Sequence, residues 1–234
     1  MDRNISIQPP PEVEAALERL EAAGHQAWCV GGCVRDSLLG KTPFDWDITT
    51  SALPQETKAC FAGEKLVEVG IAHGTVALVG RTGHPIEITT FRADGEYSDG
   101  RHPDSVSFSR NLGDDLSRRD FTVNAMAYHP QRGLQDMFGG WENLEQKVLR
   151  CVGDPEKRFT EDALRILRCL RFSAQLGFSI EEQTHQALWE KKDLLLGLSQ
   201  ERVREELTKL LCGQQAEQVL REYGEVVFTV LPEV

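Results

Sequence analysis

The segment Phe44-Asp45-Trp46-Asp47-Ile48-Thr49-Thr50 constrains this chain more than any other. Asp is disfavoured in strands, and side chains two apart along a strand leave the same face, so the pair would set like charges side by side. A cation between the carboxylates removes that repulsion. Asp45 and Asp47 are therefore expected to converge on one hard divalent ion, Mg²⁺. Taken alone, D-x-D fits a solvated strand end or turn equally well.

The neighbouring text gives that segment a context. Gln26 to Val30 has the composition of a short strand, Gly31-Gly32 breaks it, and Val34 to Leu39 turns helical before Gly40. A glycine pair between strand and helix lets backbone N–H groups approach a phosphate closely, and the helix start adds positive potential. The plainer alternative is an ordinary turn in which Arg35 pairs with Asp36. Because the D-x-D strand follows within a few residues, the two strands are expected side by side in one sheet.

Leu66 to Val69, Thr75 to Val79 and Ile86 to Phe91 are apolar and β-branched, the last two forming an expected hairpin. Glu87 and Thr89 would share one face of its second strand, which supplies a third carboxylate on a strand near the aspartates; a surface glutamate is the alternative. Residues 11 to 23 carry apolar helical spacing. Ala93 to Asn111 reads as a long loop of the kind that often serves function, and Asp114 to Tyr128 as a helix.

After Gly153-Asp154-Pro155 only amphipathic helices are expected: Glu161 to Leu176, Glu181 to Lys191, Gln200 to Cys212 and Gln215 to Tyr223. In the third of these, Val203, Leu207, Leu210 and Leu211 read as core-facing. The expected architecture is an α+β head over residues 1–149 followed by an all-α neck over 150–234.

Composition narrows the function classes. Forty per cent hydrophobic residues over 234 positions suffice for a sizeable core. No apolar run approaches a membrane span and the first residues lack a signal-peptide core, so a cytoplasmic location is expected. The six cysteines contain no C-x-x-C pair, which argues against zinc ligation and a disulfide framework and for reduced, mostly buried thiols. His73, His84, His102 and His185 lack metal-ligand spacing. P-loop and Rossmann glycine patterns and nucleophile motifs are absent. A net charge of −11 excludes a broadly basic nucleic-acid coat while leaving room for local arginine patches.

Taken together, Gly31 to Thr50 (GGCVRDSLLGKTPFDWDITT), Glu87 to Arg92 (EITTFR), Tyr97 to Asp104 (YSDGRHPD), Arg118 to Ala125 (RRDFTVNA), Asp136 to Gly140 (DMFGG) and Val152 to Phe172 resemble, in the same order, the class II tRNA nucleotidyltransferases. These are the CCA-adding enzymes and their bacterial poly(A) polymerase relatives, with a polymerase-β-like head. The resemblance implies addition of C and A from CTP and ATP to a tRNA 3′ end with release of pyrophosphate, by two metal ions on Asp45, Asp47 and Glu87. It implies nucleotide contacts from Gly31, Gly32, Arg35 and Arg119, with Asp120 and Asn124 near the sugar.

In that family the element matching Glu161 to Arg168 is a protein template for the base edge. Asp162, Arg165 and Arg168 fall at i, i+3 and i+6, with Arg171 continuing the row, and are expected to form a stripe on one helix flank. The plainer alternative is an intrahelical salt bridge between Glu161 or Asp162 and Arg165. Arg92, Arg101 and the loop around Tyr97 would belong to an element that helps switch nucleotide choice. An A-adding enzyme or poly(A) polymerase of the same family is the alternative activity, and a silent nucleotide- or RNA-binding module the non-enzyme alternative. Family members continue into helical body and tail domains beyond the point matching Val234, so a truncated form with weak, salt-sensitive tRNA binding is expected. The oligomeric state is not legible.

Overall fold

The computed structural model describes residues 5–68, 74–80, 85–95 and 106–231, so Tyr97 to Asp104, with Arg101, and His73, His84 and His102 lie outside the described residues. The chain divides into two compact units. The first comprises Met1–Asp94, Val106–Arg119 and Val123–Gly140; the second is built from Trp141–Val234 with Asp120–Thr122.

Helix α1 (Pro11–Ala22) opens the first unit, with Val13, Ala16, Leu17 and Leu20 buried at the spacing of one helix face. It leads to β1 (Ala27–Val30), α2 (Gly32–Leu38), β2 (Asp47–Thr50) and α3 (Pro54–Cys60). Strands β3 (Leu66–Val67), β4 (Thr75–Val79) and β5 (Pro85–Thr90) follow, then the pair β6 (Arg92–Asp94) and β7 (Val106–Phe108). After α4 (Leu112–Ser117) and a 3-10 turn (Thr122–Asn124) come β8 (Met126–His129) and β9 (Gly133–Asp136).

Seven strands form one mixed sheet in the order β3-β4-β5-β2-β1-β8-β9. Pairing is antiparallel throughout except between β2 and β5, which run parallel. The expected neighbours β1 and β2 and the β4–β5 hairpin are both present. In β5 the buried residues are Ile86, Ile88 and Thr90, which turns Glu87 outward as alternation requires. Trp28, Val30, Phe91, Leu112, Leu116 and Ala127 pack as one apolar cluster, joined at its edge by Phe138.

The second unit contains α5 (Gly140–Gln146), β10 (Val148–Leu149), α6 (Pro155–Glu161), α7 (Leu164–Leu176), β11 (Ser179–Ile180), α8 (Glu182–Glu190), a 3-10 helix (Lys192–Gly197), α9 (Gln200–Leu211) and α10 (Ala216–Phe228). Helix α7 is its centre: Ile166, Leu167, Cys169, Leu170 and Ala174 are all fully buried. It stops at Gly177, whose φ of 69° is the left-handed C-terminal conformation that glycine tolerates best.

Four expectations require correction. The stretch 114–128 is not one helix: α4 ends at Ser117, and Met126–His129 is a wholly buried strand, where an apolar run overrides local helical preference. Arg92–Asp94 and Val106–Phe108, within the expected loop, pair as strands. The neck also contains strand, since β11 pairs in parallel with β10. Finally, Leu211 is 61% exposed, and the buried places on α9 belong to Val203, Glu206 and Leu210.

At the turn joining α9 to α10, a Cβ on Gly213 would lie 2.7 Å from the Ala174 carbonyl carbon and 2.8 Å from its Cβ. Backbone cannot swing aside as a side-chain tip can. Gly213→Ala is expected to destabilise the second unit by about 1–3 kcal/mol in urea unfolding, whereas Gly197→Ala, with open space around it, should change stability by less than about 0.5 kcal/mol.

Candidate active site

The parallel pairing of β2 and β5 sets Asp47 in register with Glu87. Asp47 is the first residue of β2 and Asp45 lies two residues before it, so D-x-D runs into the strand and does not lie along one face of it. Asp47 is half-buried while Asp45 and Glu87 are exposed. Burial, then the neighbouring charges of Asp45 and Glu87, push the Asp47 carboxyl up to about 6, against the opposing pull of Arg119. Asp47 therefore lies within electrostatic reach of both neighbours. Among the described residues no three His, Cys, Asp or Glu side chains close on a single metal-sized point. Magnesium does not require such a cage, because it keeps several waters and binds through one or two carboxylates plus substrate phosphate. The charge of a half-buried aspartate with two acidic neighbours is of the kind that a divalent cation offsets.

Next to these acids lies the glycine turn. Gly31 has φ +80°, a conformation open to glycine, and its N–H donates to the Met126 carbonyl at 3.3 Å. Arg119 Nη1 stands 3.1 Å from where a Cβ on Gly31 would be, so glycine is also what makes room for the guanidinium. Arg119 donates through Nη2 to Asp115 Oδ2 at 3.1 Å, while its buried Nε meets no hydrogen-bond partner among the described residues. Such an unsatisfied cationic donor beside a glycine turn suits an anion. Arg35, by contrast, is buried and engaged: Nε reaches Asp36 Oδ1 at 2.8 Å and Nη1 reaches Asn124 Oδ1 at 2.6 Å. The Arg35–Asp36 pair foreseen as the plainer alternative is present, and Arg35 braces the turn from behind.

In the second unit only part of the expected stripe shares one helix: Arg165, Arg168 and Arg171 keep their i, i+3 and i+6 spacing on α7, while Asp162 does not. The helix breaks between α6 and α7, and Asp162 sits in the break with φ −148° and ψ 102°. Its Oδ1 accepts the Leu164 N–H at 3.1 Å, and both carboxylate oxygens accept from Arg202 Nη2, at 3.1 and 3.0 Å. Arg165, on α7, donates from Nη1 to Glu161 Oε2 at 2.7 Å and to the Arg158 carbonyl at 3.0 Å. The Glu161–Arg165 salt bridge foreseen as the alternative exists, although it spans the break and is not intrahelical. Arg168 binds Asp120 Oδ2 through Nε at 2.8 Å, and Arg171 lies 2.7 Å from buried Glu206 while stacking on Phe172 at 4.1 Å. Each residue of the expected stripe therefore has its own counter-charge.

Sequence reasoning missed Asp115, Arg202 and Glu206. Asp115 was legible in principle, since DDLSRR places it three and four residues before Arg118 and Arg119. Arg202 and Glu206 meet their partners only through tertiary packing. Burial pushes the Cys33 and Cys151 thiols up to about 12 and raises Cys29 and Cys169 as well, which holds these four protonated, while Cys212 is exposed.

The poly A polymerase head domain family matches residues 27–150. The chain belongs to that family. A second profile, the probable RNA and SrmB-binding site of polymerase A, matches residues 177–233. The CCA-adding enzyme of Leuconostoc mesenteroides is 51% identical over 209 residues, covering 89% of this chain and 51% of that protein. The Lactiplantibacillus plantarum CCA-adding enzyme is 49% identical over 213 residues, 90% of this chain and 52% of the relative. Among solved structures, the Bacillus stearothermophilus CCA-adding enzyme in complex with CTP superposes with a TM-score of 0.85 at 42% identity, over 94% of this chain and 53% of that one. The Thermotoga maritima CCA-adding enzyme complexed with tRNA_CCA gives 0.79 at 29% identity, over 96% and 54%. The chain thus spans about half the length of the relatives it matches. Their likeness to this poly A polymerase head and its following helices supports the expected polymerase-β-like fold. No helix among the described residues is long and apolar enough to cross a membrane.

The raised Asp47 carboxyl has a thermodynamic signature. Between its ordinary value of 3.8 and about 6, the folded chain holds a proton that the unfolded chain has released, so metal-free stability falls as pH rises through that window. Asp47→Asn is expected to flatten that fall and to raise the melting temperature above pH ~6 in the absence of divalent ions. Melting curves recorded in a chelator would expose the error if wild type and variant shared the same slope.

Proposed function

We propose that the chain is the nucleotidyl-transferring part of a CCA-adding enzyme, which adds C and A from CTP and ATP to the 3′ end of tRNA and releases pyrophosphate in the cytoplasm. The observation that supports this most is the register of Asp47 with Glu87 beside a glycine turn over which an arginine keeps a buried donor unpaired. Asp45 and Asp47 would hold Mg²⁺, with Glu87 as the third acid. Bound there, the metal would activate the attacking 3′-hydroxyl and neutralise charge on the leaving pyrophosphate.

The remaining steps fall to the protein's own groups. Gly31 and Gly32 bring backbone to the triphosphate, Arg119 supplies charge to it, and Arg35 holds the turn in shape through Asn124. Asp120, fixed by Arg168, and Asn124 are assigned to the sugar. Asp162 and Arg165 would read the base edge: an acceptor and a planar donor fork distinguish bases when their geometry is fixed in advance. Arg202 and the Leu164 N–H fix the first, Glu161 and the Arg158 carbonyl the second. Arg168 and Arg171 stiffen the same helix from their own ion pairs.

The test incubates tRNAs lacking A, CA or CCA with labelled CTP, ATP and Mg²⁺ and sizes the products. Addition stopping at three nucleotides supports the proposal; long A tails would assign poly(A) polymerase, and no incorporation despite nucleotide binding a silent module. Asp47→Ala is expected to abolish incorporation. In Asp162→Ala/Arg165→Ala, preference for C and A over G and U should fall by about 5- to 150-fold, the equivalent of about 1–3 kcal/mol for an unsatisfied buried partner. Retained preference in that double variant would withdraw the base-reading role.

A further inference from the structure

Asp115 belongs to none of the residues assigned so far, yet its side chain is wholly withdrawn from water. A carboxylate at that depth persists only where partners offset its lost hydration. Arg118 grips Oδ1 with two donors, Nε at 3.0 Å and Nη2 at 2.7 Å. Arg119 Nη2 and Thr49 Oγ1 both reach Oδ2, each at 3.1 Å.

The identity of those last two partners matters. Thr49 stands on β2, two residues after Asp47, and its hydroxyl also lies 3.3 Å from the Thr89 carbonyl on β5, the strand of Glu87. Arg119 is the guanidinium packed over Gly31. One carboxylate therefore connects the strand that presents the metal-binding acid with the cation that faces the glycine turn. An arginine has a long, flexible stem, and without a fixed anchor its planar head would sample many orientations above the turn. Anchoring Nη2 on Asp115 leaves Nε and Nη1 directed by the plane of the group.

We infer that Asp115 is a positioning residue for nucleotide binding: it orients Arg119 over the Gly31 turn and ties that arginine to β2 through Thr49. This rests on the reading of the turn as a triphosphate seat. A purely structural Asp115 would support α4 and leave the nucleotide affinity of folded protein untouched, which separates the two roles experimentally.

Affinity of the 234-residue chain for Mg·CTP and Mg·ATP is measured by calorimetry in wild type, Thr49→Val, Asp115→Asn, Arg119→Ala and the Asp115→Asn/Arg119→Ala double variant. Asp115→Asn keeps the volume and removes the charge, and should raise Kd about tenfold, with about threefold for Thr49→Val. The double variant should match Arg119→Ala alone, because Asp115 acts through that guanidinium. A folded Asp115→Asn with wild-type Kd, or an effect that simply adds to that of Arg119→Ala, overturns the inference. Should Asp115→Asn fail to fold, Thr49→Val decides, since it leaves the ion pairs in place, and an unchanged Kd there is equally fatal. Absence of nucleotide binding by the wild type would remove the triphosphate seat and this inference together, whereas binding indifferent to Asp115 removes the inference alone.

Discussion

Placing Asp47 beside Glu87 costs free energy, and the first unit is organised around holding that pair. Like charges in register on neighbouring strands repel, and partial burial of one of them strengthens the effect. The parallel β2–β5 pairing is maintained because both strands lie inside the sheet: β2 is locked to β1 on its other side, and β5 to β4. Ile48 and Ile88, paired across the same ladder, are fully buried and supply the apolar gain that offsets the acids. The positive charge of Arg119 partly offsets the repulsion by pulling the Asp47 carboxyl back down. A site poised in this way favours whatever divalent charge can enter it.

How much of this was readable in advance differs by element. Period-2 alternation gave β4 and β5 and turned Glu87 to the correct face, and the glycine pair marked the turn between β1 and α2. The head's family membership was legible from motif order alone. What could not be read was tertiary override. Met126 to His129 carries residues compatible with helix, and only its place between β1 and β9 makes it a strand. The β6–β7 pair joins residues separated by a stretch rich in turn formers, and no local signal announces so short a ladder.

The second unit shows the same limit at the level of single side chains. A 3.6-residue period laid Asp162, Arg165, Arg168 and Arg171 along one flank, on the premise of an unbroken helix. The break takes Asp162 out of the row and leaves the three arginines on α7, and the four side chains pair separately with Arg202, Glu161, Asp120 and Glu206. Arg202 and Glu206 both sit on α9, so the spacing of acid and base along that helix is matched to α7 and the preceding break. Buried Glu206 is the clearest instance, a charge kept inside by one arginine across a helix interface.

The distribution of thiols has a practical corollary. Cys29, Cys33, Cys151 and Cys169 are shut away from solvent and held in their unreactive protonated form, and Cys60 is only partly open, whereas Cys212 faces water at the end of α9. A maleimide fluorophore would thus attach first to a single spot next to the Gly213 turn, giving an optical reporter on the helical half with the acid-bearing sheet left chemically untouched.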